Sequence, residues 1–533
     1  MIKLAAIFKN GMILQRNSCV RIWGESDENI IEVIFCDNTY TAEFNDKEWK
    51  VDIRTSMSTE HLKMDVISRN RKNGEEIDRI VINDILLGEV WLAGGQSNME
   101  LELQNSFDGK RVANESNYSD IRFYNVPKCA NIDDELYGCE EQTEWKNAVG
   151  SKCKDVSAVA YYFAVKLYEE LKVPIGIIDC YWGGTSATCW VDEKALDSVS
   201  EVKEYINEWK EVFRDKSDNQ YLTEMENYNK KYSQWVQCVD ELRRNNPDVT
   251  WTEINSIAGM CPWPQPKGKK SPFRPFGLHE TMLKRVAPYG IKGFIYYQGE
   301  EDVERAEYYS KLCSAVISQW RKDFSIENID EEKPFVITQL PMYIEGDAID
   351  DKSWCILRSQ QEKCCFENEN VSMAVLIDCG EKDNIHPIDK KKPGNRLAIT
   401  VLDLVYCGEN HEGYMSINKV DFMQNVCKLH FNNKYDAVCY KKTDGVILTA
   451  DIEELIPISS GCTDEIWGFE ISNNSVEYYR PQVLVKNGTI LLIGRGDDPI
   501  LNVRYGWYNF GVVNVYNSKA MPLAPFCITK GNE

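Results

Sequence analysis

Ser97, His386 and Asp383 are the residues of this sequence whose types and surroundings suit acyl transfer. Ser97 lies in "EVWLAGGQSNMELEL", residues 89–103, where an apolar run typical of a buried strand stops at Gly94-Gly95-Gln96. A serine hydroxyl is a weak nucleophile until a base takes its proton. Five histidines are available as that base: His61, His279, His386, His411 and His430. Only His386 follows an aspartate by three residues, in Asp383-Asn384-Ile385-His386. At that spacing both side chains point the same way, so the carboxylate holds imidazole Nδ1–H and leaves Nε2 for the serine.

The same chemistry needs donors preorganised for a tetrahedral oxyanion. The Ser97 amide, an amide of Gly183 or Gly184, and the Gln298 side chain each follow a separate apolar run. Gln96, Asn98, Glu300, Arg274 and His279 are candidates for substrate contact. Competing structural readings stand beside these. Ser97 could cap the next helix, Gln298 could be a packing amide, Asp383 a turn residue and His386 a surface histidine. Glu300 suits a buried structural carboxylate paired with Arg358, because an unpaired buried charge is costly.

The elements that must position these residues read as follows. Residues 1–85 carry short β-like segments such as "VRIWGES" and "HLKMDVISRN", separated by Asn, Asp and Gly, which predict an N-terminal β-sandwich. Residues 86–410 carry five apolar runs, "EVWLAGG", "VPIGIIDCYWGG", "IKGFIYYQGE", "PFVITQLPM" and "VSMAVLIDCG", alternating with helical periodicity. This is the pattern of an α/β fold with a parallel sheet buried on both faces. "DVSAVAYYFAVKLYEELK" is one such helix, with Asp155 as its expected cap. Charged amphipathic segments at about 195–275 predict a helical insertion that ends in a Pro-rich return loop. Residues 411–533 return to β texture as a C-terminal β domain. In such a sheet ligands bind beyond the carboxyl ends of the strands, where the candidate residues fall.

A formal net charge of −23, from 61 basic and 84 acidic residues, opposes nucleic acid or an anionic membrane as the main partner. The 19 cysteines lack paired CxxC spacing and read as reduced thiols. The N-terminal apolar run is short for a signal peptide, and no run reaches the ~20 residues of a membrane helix. A cytoplasmic location is expected. Dispersed histidines give no compact ligand set, so no metal and no cofactor are expected.

In this order, "GGQSNME", "YWGGTSATCW", "YYQGEED" and "DNIHPIDKKKPGNRLA" resemble the four blocks of the SGNH-hydrolase superfamily in its sialate O-acetylesterase and carbohydrate acetylesterase branch. The resemblance extends to "FKNGMILQRNSCVRIWGES" and "VRYGWYNFGVVNVYNSKAMPLAPF" at the two ends. It implies an SGNH-type three-layer sandwich flanked by N- and C-terminal β domains, with Ser97 as nucleophile, His386 as base and Asp383 as its orienting partner. A block-two glycine and Gln298 become the oxyanion donors. The chain departs from the pattern at Glu300-Glu301-Asp302, where the residue after the QGE block is acidic. The helical insertion is also short beside relatives that carry a whole β domain at this place.

The function expected is a serine O-acetylesterase acting on acetylated mono- or oligosaccharides, either sialic acid or xylan, xyloglucan and mannan fragments. A sialate would need a cation, for which Arg274, Lys267, Lys269 and Lys270 are available. Two other readings are an SGNH esterase on lipid or aryl esters and a carbohydrate-binding protein without catalysis.

Overall fold

The computed structural model describes residues 2–27, 30–246, 249–327, 332–408, 413–431, 438–441, 455–457, 461–486 and 489–531. His411 lies outside them. The chain divides into two compact units, Met1–Glu301 with Lys311–Phe335, and Asp302–Ser310 with Val336–Glu533.

The first unit is organised by one long strand, β1 (Glu76–Gly95). Its first half pairs antiparallel with Leu62–Arg69 of the N-terminal β region, and Leu86–Gly88 pair parallel with Ile13–Gln15. Its second half lies in a sheet with β2 (Asn117–Asn125), β3 (Trp145–Val149), β4 (Ile175–Tyr181) and β5 (Gly293–Tyr297), in the order β3-β2-β4-β1-β5. β2, β4, β1 and β5 run parallel, whereas β3 pairs antiparallel with β2 at the edge.

The boundary expected at residue 85 therefore falls inside a strand. What changes there is burial: many side chains of residues 76–84 are exposed, and residues 85–95 are buried without interruption. One backbone thus serves both a one-sided and a two-sided sheet. The sequence reading also missed β2, whose buried run is only Ile121–Tyr124 within polar flanks.

Helix α1 (Ser97–Glu100) follows β1, and α2 (Ala158–Leu171) precedes β4. The cap of α2 is Ser157, whose Oγ accepts from the Ala160 amide at 3.1 Å. Asp155, expected there, instead accepts from Lys146 Nζ at 2.6 Å. The insertion is helical: α3 (Lys203–Asp215), α4 (Asp218–Asn245) and α5 (Trp251–Ala258). Reciprocal capping boxes open α4 at Ser217/Gln220 and α5 at Thr250/Glu253, which explains why so polar a stretch still forms helices.

The second unit contains β6 (Phe335–Gln339) from Val336 onward and its neighbour β7 (Val371–Val375), with helices α6 (Ser353–Glu367) and α7 (Lys391–Val401). It also holds the C-terminal sheets, including Ile417–Met423 beside Val426–Phe431 and Asn502–Tyr505 between Phe469–Ser472 and Phe526–Thr529. The boundary expected at 410 is crossed by hydrogen bonds. Asn509 binds the amide of Trp354, Tyr516 Oη reaches Asp378 at 3.0 Å, and Arg358 Nη2 donates to the Tyr508 carbonyl at 2.6 Å. Residues 336–408 thus share one core with the C-terminal strands. Among the described residues no helix is long and apolar enough to cross a membrane.

Candidate active site

In the first unit, β1 is the strand flanked by β4 on one edge and β5 on the other, and Ser97 stands two residues past its end. This is the crevice where a parallel sheet presents ligands to its loops. The exit is rigid because nothing larger than glycine fits. A Cβ on Gly94 would meet Trp320 Cη2 at 2.4 Å. Gly95 has φ +136°, and its Cβ would lie 2.0 Å from the Tyr297 carbonyl oxygen. The two glycines are thus required by packing against Trp320 and β5.

Gln96 and Asn98 have comparable duties. Gln96 is buried, and its Oε1 accepts from the amides of Gly299 and Glu301, each at 3.3 Å. Asn98, fully buried, donates from Nδ2 to Glu300 Oε1 at 2.5 Å. Together they tie the Gln-Ser-Asn turn to the Gln298-Gly299-Glu300 loop. Ser97 itself is half-buried and is the first residue of α1. The cap position belongs to Gln96, so the capping role considered for Ser97 is not the one it fills.

The block-two loop lies against this turn. A Cβ on Gly183 would stand 3.2 Å from Ser97 Cβ. The Gly183 amide, one of two expected oxyanion donors, donates to Glu100 Oε2, while Glu100 Oε1 accepts from Lys128 Nζ. The Gly184 amide donates to no acceptor among the described residues. Gln298 is 1% exposed, and its Nε2 donates to the Thr185 carbonyl at 3.2 Å, which aims the amide at the same loop. Glu100 and Lys128 were not read from the sequence as functional, although Glu100 closes the quoted "GGQSNME".

Arg274 and His279, candidates for substrate contact, have structural employment. Arg274 Nη1 donates to the carbonyls of Ala130 at 2.6 Å and Ser271 at 3.0 Å. His279 is buried, with Nε2 at 2.7 Å from Asp323 Oδ2, and Lys284 shares that carboxylate. Lys267 faces Glu208 at 3.4 Å and Lys270 faces Asp218 at 3.8 Å.

In the second unit, His386 lies in the stretch between β7 and α7. The stretch is clamped at its start by the buried pair Asp378–Arg396, with Nη2 to Oδ2 at 2.8 Å and Tyr516 Oη as a further donor. Burial opposes ionisation of Asp378, and Arg396 outweighs it, holding the carboxyl near 2. Further on, Asn384 donates to Glu381 Oε2 at 2.7 Å and accepts from the His386 amide at 3.0 Å, while Glu381 Oε1 takes the Ile388 amide at 3.2 Å.

Asp383 has φ +63°, a conformation that Asp tolerates better than most residues. Its amide donates to the Ile344 carbonyl at 3.0 Å and its Oδ1 accepts from the Gly346 amide. His386 is held low, at about 4, by burial first and then by the Lys390 ammonium, so its imidazole is neutral at pH 7. Arg358 is fully buried and bonds the Tyr508 carbonyl and, at 3.6 Å, Cys355 Sγ. Carbonyls and a thiol thus serve this guanidinium where the sequence suggested a carboxylate.

Three histidines have carboxylate partners: His61 with Asp84, His279 with Asp323, and His430 with Asp421 at 2.6 Å. All three pairs lie farther apart in sequence than the spacing that singled out His386. Among the described residues no three His, Cys, Asp or Glu side chains converge as a metal-ion site.

No family model matches the chain. Over 351 residues it is 24% identical to the sialate O-acetylesterase of Mus musculus, covering 62% of this chain and 58% of that protein. Over 349 residues it is 24% identical to the sialate O-acetylesterase of Homo sapiens, covering 62% and 55%. The chain thus spans less than two thirds of the length of these relatives. Its fold is shared with the crystal structure of a carbohydrate acetylesterase from Xanthomonas citri, at a TM-score of 0.73 and 24% identity, over 99% of this chain and 100% of that one. These relationships support the sialate O-acetylesterase and carbohydrate acetylesterase branch that the four sequence blocks indicated.

Proposed function

We propose that this protein is a serine O-acetylesterase acting on acetylated carbohydrates, with Ser97 as nucleophile, His386 as general base and acid, and Asp383 as the residue that orients the imidazole. The SGNH-type three-layer arrangement with flanking β domains is part of this reading, as is a cytoplasmic location. The observation that carries it is Ser97 itself: a half-buried hydroxyl just past the central parallel strand, beside a loop whose Gly184 amide has no acceptor among the described residues.

In this mechanism Ser97 Oγ attacks the acetyl carbonyl while His386 Nε2 accepts its proton. Negative charge gathers on the carbonyl oxygen, where the amides of Ser97 and Gly184 and the Gln298 side chain stabilise it. Gly184 is preferred to Gly183, because the Gly183 amide already serves Glu100. Collapse breaks the C–O bond to the sugar, whose oxygen takes the proton from His386. Water then attacks the acetyl-serine by the same route and releases acetate.

The test is acetate release from acetylated xylo-, manno- and xyloglucan oligosaccharides and from 9-O-acetyl sialic acid, with labelling by a fluorophosphonate. Mass spectrometry should place the label on Ser97, and Ser97→Ala should release no acetate. A label on another serine, or acetate release by the variant, defeats the assignment. Activity on octanoyl esters exceeding that on acetyl esters would favour the non-sugar esterase reading instead.

A further inference from the structure

The return loop of the helical insertion carries Trp263, which is 46% exposed, an uncommon state for so large an apolar side chain. It is not loose. The loop is tied to α4 by Tyr228 Oη on the Pro262 carbonyl and Trp235 Nε1 on the Gly259 carbonyl, each at 2.8 Å. Phe273 meets the indole at 85°, with centroids 5.3 Å apart.

The six-membered ring of Trp263 lies against Gly184, where a Cβ would stand 2.3 Å from Cη2; Gly184 has φ +71°, so two constraints demand glycine there. Gly184 adjoins Gly183, where a Cβ would stand 3.2 Å from Ser97 Cβ. Trp263 is therefore built onto the loop beside the nucleophile. Its Nε1–H donates to no acceptor among the described residues and is left for a ligand hydroxyl.

The other aromatic residues of the insertion differ. Tyr228, Tyr232, Trp235 and Trp251 stack on one another in a row, with Arg243 over Trp251 at 4.6 Å, so each ring spends a face on its neighbour. That row staples α4 to α5.

We propose that Trp263 forms a subsite for the apolar face of an uncharged pyranose ring next to the ring whose acetyl group Ser97 attacks. This rests on the serine acetylesterase reading and narrows its substrate class. An uncharged sugar fits because Lys128 is engaged by Glu100, Lys267 by Glu208, Lys270 by Asp218, and Arg274 by the Ala130 and Ser271 carbonyls. The indole supplies an apolar face for the axial C–H groups and an N–H for an equatorial hydroxyl, a match of the amphipathic ring to an amphipathic sugar.

The test compares kcat/KM on acetylated xylo-oligosaccharides, acetylated xyloglucan oligosaccharides and 4-nitrophenyl acetate for the unmodified chain, Trp263→Ala and Trp263→Phe. In Trp263→Ala the ratio of oligosaccharide to 4-nitrophenyl acetate kcat/KM should fall at least about tenfold, mostly through KM. Trp263→Phe, which keeps an apolar ring, should recover most of it. An unchanged ratio, or a preference of the unmodified chain for 9-O-acetyl sialic acid over the neutral sugars, overturns the subsite while leaving the esterase reading intact. Failure of the unmodified chain on every sugar ester, with Ser97-dependent cleavage of 4-nitrophenyl acetate, overturns the sugar reading and the subsite together. Titrating Ser97→Ala with deacetylated oligosaccharide gives a readout independent of chemistry, and binding unaffected by an added Trp263→Ala again overturns the subsite.

Discussion

Ser97 leaves a strand that is paired on both edges up to Gly95, whereas His386 sits in a stretch without regular structure between β7 and α7. The first is positioned by backbone. Register with β4 and β5, and glycines pressed on Tyr297 and Trp320, leave the serine turn one place to be. The second is positioned by side chains: Asp378–Arg396 at its root, Glu381–Asn384 within it, and Asp383 on the 344–346 backbone. A side chain at a strand exit can thus be set by a local ladder, while one held in a loop depends on polar contacts gathered from far along the chain. Point changes should consequently act differently on the two sides.

The largest effect is expected at the serine. Ser97→Ala should lower acetate release by about 10⁶-fold, with the thermal midpoint unchanged because a small half-exposed hydroxyl adds little to stability. Unfolding by this change would mean that the turn is less rigid than its packing indicates.

On the imidazole side, Asp383→Asn should lower turnover by about 10⁴-fold through the wrong tautomer. Asn keeps an oxygen for the Gly346 amide, so loss of activity with an intact fold reports on His386 and not on the loop. Unaltered turnover would return Asp383 to a turn residue.

Gln298→Ala should cost about 10²-fold in kcat with little change in KM, as expected for a donor used in the transition state. Loss confined to KM would instead mark Gln298 as a brace for Thr185.

The gentlest probe is pH. His386 has a value of about 4 against an ordinary 6.5, so kcat/KM should stay level from pH 7.5 down to about 5 and fall only near 4. The unfolded chain protonates this histidine near 6.5, so between there and about 4 the unfolded state holds more protons. Stability from this group is therefore lost as pH falls through that window and changes no further below it. An acid limb at 6.5 would show that the imidazole is solvated.

The strand placement of the candidate residues was legible because its signals are local. Five apolar runs became strands, and the residues that follow β1, β4 and β5 lie at their carboxyl ends, where loops gather. Strand β2 escaped because its buried run is only Ile121–Tyr124, within polar flanks. Arg274 and His279 were misplaced for a different reason: their partners, Ala130 and Asp323, are distant in sequence, and nothing at either position announces them. Spacing equally could not reveal that His61, His279 and His430 acquire carboxylates by folding.

By itself the sequence determined the residue types available for acyl transfer, their order, and the alternation of strand and helix, because burial on two faces and helix periodicity are written in neighbouring residues. Tertiary structure alone decided that Gly183 gives its amide to Glu100, that Gln96 and Asn98 brace the turn, and that Trp263 rests on Gly184. Hydrogen-bond partners and close packing are set by distances across the fold, and residues far apart in the chain carry no mark of which neighbour they will meet.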